Sequence, residues 1–90
     1  MKNLDKLLER ADKAIEQLGL DGILTATYRS GGDWEQVDIE ADLDGRFFGT
    51  YDGLDDDDSD EEAMMKIKAW FEEMVKPELV SLREKINKYV

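Results

Sequence analysis

ILTATYRSGGDWEQVDIEADLDGRFFGTY, residues 23–51, is the stretch that decides the fold. Residues 23–29 are rich in β-branched and aromatic side chains and read as a strand. Ser30, Gly31, Gly32 and Asp33 then form a turn signal, and Trp34–Leu43 alternates apolar and polar residues as a half-buried strand does. Asp44-Gly45 predicts a type I′ hairpin, leading into a third strand from Arg46 to about Tyr51. Simple pairing across the two turns puts Leu24, Ala26, Tyr28, Val37, Ile39, Ala41, Leu43, Phe48 and Thr50 on one face, the core face. The other face then carries Thr25, Thr27, Arg29, Trp34, Gln36, Asp38, Glu40, Asp42, Phe47 and Tyr51.

Helices flank this meander. Leu4, Leu7, Leu8, Ala11, Ala14, Ile15 and Leu18 repeat at helical spacing, with Asn3 as N-cap and Gly19 as terminator. After an acidic stretch at 52–58, expected as a solvated loop, Ser59 and Glu62 make a capping box for a second helix. Its expected buried side is Ala63, Ile67, Trp70, Phe71, Met74 and Val75, with Met64 and Met65 also taken as core filler. Pro77 suits the first turn of a third helix, so a break or kink is expected near Lys76, followed by a stripe of Leu79, Leu82, Ile86 and Tyr89. Glu62–Lys66, Glu72–Lys76 and Glu84–Lys88 are spaced as i,i+4 pairs. The order α-β-β-β-α-α in 90 residues predicts one α+β domain, a three-stranded antiparallel meander with its helices on the core face.

Composition removes whole classes of chemistry. With no cysteine and no histidine, disulfides, thiolate metal sites and the commonest general base are absent. No stretch resembles a signal peptide or a membrane span, so a soluble cytoplasmic protein is expected. No glycine-rich phosphate loop is present, because Ser30–Asp33 lacks the following helix and lysine. Calcium is served by oxygen ligands, yet a start at Asp52, Asp55 or Asp57 does not reproduce the ligand order of an EF-hand loop, so no dedicated metal site and no cofactor is expected. Carboxylate pairs alone suggest glycoside hydrolysis only where a cleft holds them, and a domain this small has little room for one. The expectation is a protein that is not an enzyme.

Charge placement is the most informative feature. The net charge is −11, but residues 1–18 sum to zero and residues 63–90 to +2, leaving −13 on residues 19–62, where Arg29 and Arg46 are the only bases. Mixed-sign surfaces are the rule where solubility is the only demand. Residues 52–62 alone hold eight carboxylates, and Asp38, Glu40 and Asp42 share one strand face at about 6.6 Å per two-residue step. Such an array matches a positively charged groove built for nucleic acid, and the same charge opposes direct nucleic-acid binding by this chain. Trp34, Phe47 and Tyr51, on the acid-bearing face, are candidate anchors, although Arg29 opposite Trp34 could simply make a cross-strand cation–π contact.

In its length, its lack of cysteine and histidine, its clustered acids and its compact α+β plan, the chain resembles the small acidic inhibitors made by bacteriophages. These include anti-CRISPR proteins and DNA-mimic inhibitors of restriction and repair enzymes. The likeness lies in size and charge layout rather than in a diagnostic motif. It implies a stoichiometric inhibitor that needs no cofactor and covers a nucleic-acid-binding surface of a host defence protein or nucleoprotein complex. Asp38, Glu40, Asp42, Asp52, Asp55, Asp56, Asp57 and Asp58 would meet the lysines and arginines of that target. The competing expectation is a small adaptor or toxin-neutralising protein that binds a basic partner, or its own copy, through Trp34, Phe47 and Tyr51.

Overall fold

A computed structural model describes residues 4–87, with side chains through Arg83. The expected Asn3 cap, the Ile86 and Tyr89 ends of the third stripe, and the Glu84–Lys88 pair lie outside what is described.

Helix α1, Leu4–Gln17, buries Leu4, Leu7, Ala11, Ala14 and Ile15 along a single stripe. It ends in a Schellman motif: the N–H of Leu20 donates to the carbonyl of Ile15 and that of Gly19 to Glu16, both at 3.0 Å, with Gly19 at φ 72°. Leu20 then packs back on the core, so the chain turns directly into the sheet.

Strands β1 (Leu24–Gly31), β2 (Trp34–Leu43) and β3 (Arg46–Tyr51) form an antiparallel sheet in the order β1-β2-β3. β1 runs two residues further than its composition suggests, since Ser30 pairs with Glu35 and Gly31 with Trp34, leaving only Gly32 and Asp33 in the turn. The Asp44-Gly45 turn has φ of 52° and 82°, the paired positive values that a type I′ turn requires.

β3 departs from simple pairing. A bulge between Ala41 and Asp42 matches Asp42 to Phe47 but Ala41 to Gly49, leaving Phe48 as the extra residue. Beyond it every β3 side chain changes face: Tyr51 sits opposite Ile39 on the core side, and Thr50 opposite Glu40 is exposed. Two expectations are therefore corrected, since Tyr51 is not on the acid-bearing face and Thr50 is not on the core face. Gly49, at φ 154°, lies under the Trp70 ring, and Tyr51 stacks on Trp70 with centroids 5.6 Å apart and planes at 25°.

Helix α2, Asp60–Trp70, starts from the expected Ser59–Glu62 capping box. It passes through one π-helical turn, Phe71–Val75, straight into α3, Lys76–Asn87, with no non-helical residue between them. Pro77 accounts for the turn: it has no N–H for the Glu73 carbonyl and its ring crowds that oxygen, and widening the preceding turn relieves both. The N–H of Lys76 accordingly reaches back five residues to the carbonyl of Phe71. The wider turn shifts the helical phase. Val75 takes the inward position and is fully buried, whereas Met74 is 60% exposed, contrary to its expected place in the core. Met65, 63% exposed, also lies outside the core, and only Met64 packs against it.

α1 lies against β1, β2 and α2, and the π turn touches β3, so the helices share one side of the sheet. Between them Leu7, Val37, Ile39, Ala63, Ile67 and Val75 form a core that is closed to solvent.

Candidate anionic interface

The acidic run is folded rather than loose. Leu54 is buried in the core and fixes the middle of the stretch between β3 and α2. Past it, the N–H of Asp58 donates to the carbonyl of Asp55 at 3.1 Å, and the N–H of Asp55 donates to Asp58 Oδ2 at 2.9 Å. These reciprocal bonds close a turn with Asp56 and Asp57 at its tip, both exposed.

Asp58 faces inward at 5% exposure. Lys66 Nζ lies 3.0 and 2.9 Å from its two carboxylate oxygens, 3.4 Å from Asp55 Oδ2 and 3.3 Å from the carbonyl of Gly53. Arg10 ties the same turn to α1, donating to the Asp58 carbonyl and, from Nε, to Asp60 Oδ1 at 2.9 Å. Burial alone would raise the Asp58 pKa, but the Asp55 N–H, Lys66 and Arg10 outweigh it and hold the carboxyl below its ordinary value. The hydrogen bond to Asp58, against partial desolvation, raises the Lys66 pKa.

Carboxylate oxygens of Asp55, Asp57 and Asp58 lie within 4.8 Å of one another. The Lys66 ammonium bonds to two of these residues, Asp55 and Asp58, and Asp57 has no basic partner among the described residues. Lys66 passes over the expected partner Glu62, whose carboxylate instead accepts from the Ser59 N–H at 3.3 Å.

On the sheet, Asp38 is the unexpected member. It is 1% exposed, accepting from Gln36 Nε2 at 2.8 Å and from Arg29 Nη1 at 3.3 Å. Arg29 is thus committed to Asp38 and sits opposite Gln36, not Trp34, while the cation–π contact of the sheet is Arg46 over Phe48 at 5.6 Å. Arg46 also reaches Glu78 at 4.0 Å.

Of the eight acids singled out from sequence, Asp38 and Asp58 spend their charge inside the molecule and Glu40 is half-buried. Asp42, Asp52, Asp55, Asp56 and Asp57 are exposed, and all but Asp55 have no basic partner among the described residues. Asp42 belongs to the open face of the sheet, whereas Asp55–Asp57 lie on the connection that leads under α1 to α2. Asp52 joins the two, directly after Tyr51. No protein-family model, curated protein or solved structure matches this chain.

The aromatic candidates separate. Trp34 (46% exposed) and Phe47 (61%) share the open face, but Phe47 pairs with Asp42, eight residues along β2 from Trp34. At about 3.3 Å per residue that is roughly 26 Å, too far for one patch. Tyr51 is on the core side. Sequence reasoning missed Arg10 and Lys66, which shape the acidic turn, because both sit at helix positions that read as ordinary surface. The i,i+8 reach from Lys66 back to Asp58 has no sequence signature.

Among the described residues, no helix is long and apolar enough to cross a membrane.

Proposed function

We propose that this protein is a non-enzymatic acidic inhibitor of the bacteriophage type, which covers a positively charged nucleic-acid-binding surface of a host defence protein. The observation that carries this reading is the division of the acids: Arg10, Arg29, Arg46 and Lys66 pair with Asp60, Asp38, Glu78, Asp55 and Asp58, whereas Asp42, Asp52, Asp56 and Asp57 are exposed with no basic partner among the described residues. A fixed turn holds Asp56 and Asp57 outward, which lowers the ordering cost of binding relative to a flexible tail. A cationic groove meets such charges with fast, salt-sensitive association and releases them when salt is added.

The adaptor reading draws on Trp34 and Phe47, but these rings are at opposite ends of the sheet and cannot form one apolar contact. Acid-led recognition is therefore preferred.

The test is a four-site variant, D42N/D52N/D56N/D57N, used as tagged bait in lysate of the host cell beside the native chain. These side chains are exposed, so the fold is retained. The reading expects the variant to lose at least about tenfold of the captured target. Equal capture by both chains would refute it.

A further inference from the structure

β1 is an edge strand, and of the described elements only β2 and α1 pack extensively on it. The N–H of Asp42 donates to the carbonyl of Ile23 at 2.9 Å, so by alternation Thr25, Thr27, Arg29 and Gly31 bond to β2. Ala26, Tyr28 and Ser30 therefore turn both backbone groups outward. Leu24 turns out its carbonyl alone, since its N–H donates to the Leu20 carbonyl at 2.8 Å. Sheet edges are ordinarily protected by lysine, proline or a bulge. β3 has its bulge, whereas Leu24–Gly31 has none of these, and its one charge, Arg29, is bonded to Asp38.

Helix α1 runs antiparallel along this edge. Its C-terminal end meets Leu24 through Leu20. Its first turn lies near Tyr28, whose pKa is raised by burial, by Glu35 and, more weakly, by Asp5. The charges of α1 are sorted into two rows. Lys6, Arg10 and Lys13 lie together beside Asp60, on the flank that faces α2. Asp5, Asp12 and Glu16 take the opposite flank, above β1, exposed and without a basic partner among the described residues. Leu8, half-buried, lies between that acid row and the buried stripe.

From this bare edge overlooked by a row of acids we infer that β1 takes an extended segment of the protein partner as a fourth strand, with basic side chains at alternate positions on the α1 side. Backbone bonds to Ala26, Tyr28 and Ser30 hold its main chain. Its lysines or arginines lay their stems against Leu8 and carry their charges to Asp5, Asp12 and Glu16. At 1.5 Å per residue that row spans roughly 16 Å, which about five extended residues cover, three of them on the helix side. Thr25, Thr27 and Arg29 on the other face favour uncharged side chains there. A second copy of this chain fits worse, because pairing β1 with β1 sets two acid rows against each other. Nucleic acid does not fit, since its phosphates would meet the same acids. The inference rests on the reading that the partner is basic and assigns it a second contact, apart from Asp52–Asp57.

The experiment titrates the full chain, labelled for amide NMR, at low salt with a blocked octapeptide alternating lysine and threonine. Two controls run in parallel: the same composition with its lysines grouped at one end, and the alternating peptide N-methylated along its backbone. Expected are saturable shifts and slowed exchange of the Ala26, Tyr28 and Ser30 amides, with the grouped peptide about fivefold weaker and the methylated one not binding at the edge. D5N/D12N/E16Q should weaken binding about tenfold, with an unchanged far-UV spectrum showing intact folding. D56N/D57N should leave the peptide affinity unaltered. Shifts centred on Asp52–Asp57, equal affinity for the methylated peptide, or no effect of D5N/D12N/E16Q would overturn the assignment. So would concentration-dependent shifts of the same three amides without peptide, which would give the edge to a second copy. No peptide binding at the edge, alongside capture of the target that D5N/D12N/E16Q leaves undiminished, would sink this inference alone and leave the inhibitor reading standing.

Discussion

Replacing Asp58 by alanine separates the structural acid of the run from the acids available to a partner. In the native turn its carboxylate accepts from the Asp55 N–H at 2.9 Å and from Lys66 Nζ at 2.9 and 3.0 Å. Hydrogen bonds to charged groups contribute about 1.5–3 kcal/mol each, and Lys66, whose side chain is 33% exposed, partly recovers its share from water and Asp55. The expected loss for Asp58→Ala is therefore about 2–3 kcal/mol, or about 10–20 °C in Tm for a domain of this size. Asp58→Asn keeps an oxygen for the Asp55 N–H and gives up only the charge, so about 1 kcal/mol is expected. Asp56→Ala and Asp57→Ala should change stability by less than about 0.5 kcal/mol, in the stabilising direction, because each relieves repulsion among neighbouring carboxylates. Urea titration at neutral pH, with Trp fluorescence and circular dichroism as probes, measures all four variants on one scale. If Asp58→Ala is no more destabilising than Asp57→Ala, the turn is not held as described.

The pH dependence of stability follows from the same pair. Asp58 titrates below its ordinary value in the fold, so its contribution is complete above the unfolded carboxyl pKa of about 4 and is lost as pH falls through that range. Asp58→Asn should flatten that acid limb in urea midpoints measured from pH 6 to 3. Lys66 titrates above its ordinary value, so its contribution is present below about pH 10.4 and lost at higher pH, a limb that Lys66→Met should remove. Tyr51→Ala, which strips the ring from Trp70 on the core side, should cost about 2–3 kcal/mol by thermal melting, whereas Phe47→Ala on the open face should be near neutral; equal costs would mean that the bulge register is wrong. Pro77→Ala should restore ordinary α-helical hydrogen bonding to Glu73 and turn Met74 inward, which amide exchange at residues 75–78 would register as added protection.

Periodicity carried the architecture a long way. The α1 stripe, the meander and the Ser59–Glu62 capping box are local patterns, and each formed where its residues indicated. Two single-residue events escaped. The bulge at Phe48 reversed the faces of Thr50 and Tyr51, and the only hint was a glycine, Gly49, inside an aromatic strand. The π turn ahead of Pro77 left Val75 buried as expected but put Met74 outside, and proline alone does not say whether a helix breaks, kinks or widens. The acids were legible in number and in sign but not in direction. Asp38 and Asp58 have the same side chain as Asp42 and Asp57, and what turned them inward was the reach of Arg29, Gln36 and Lys66 from other positions in the fold.

The most direct test of the central claim is competition on the captured target. Native chain, immobilised and loaded from host lysate at low salt, is challenged with a short DNA duplex and with a single-stranded RNA, and the released protein is identified. The released partner should be a nucleic-acid-binding protein that leaves the bait in proportion to added nucleic acid, and that also leaves when salt alone is raised. A partner that stays bound through both challenges would contradict it.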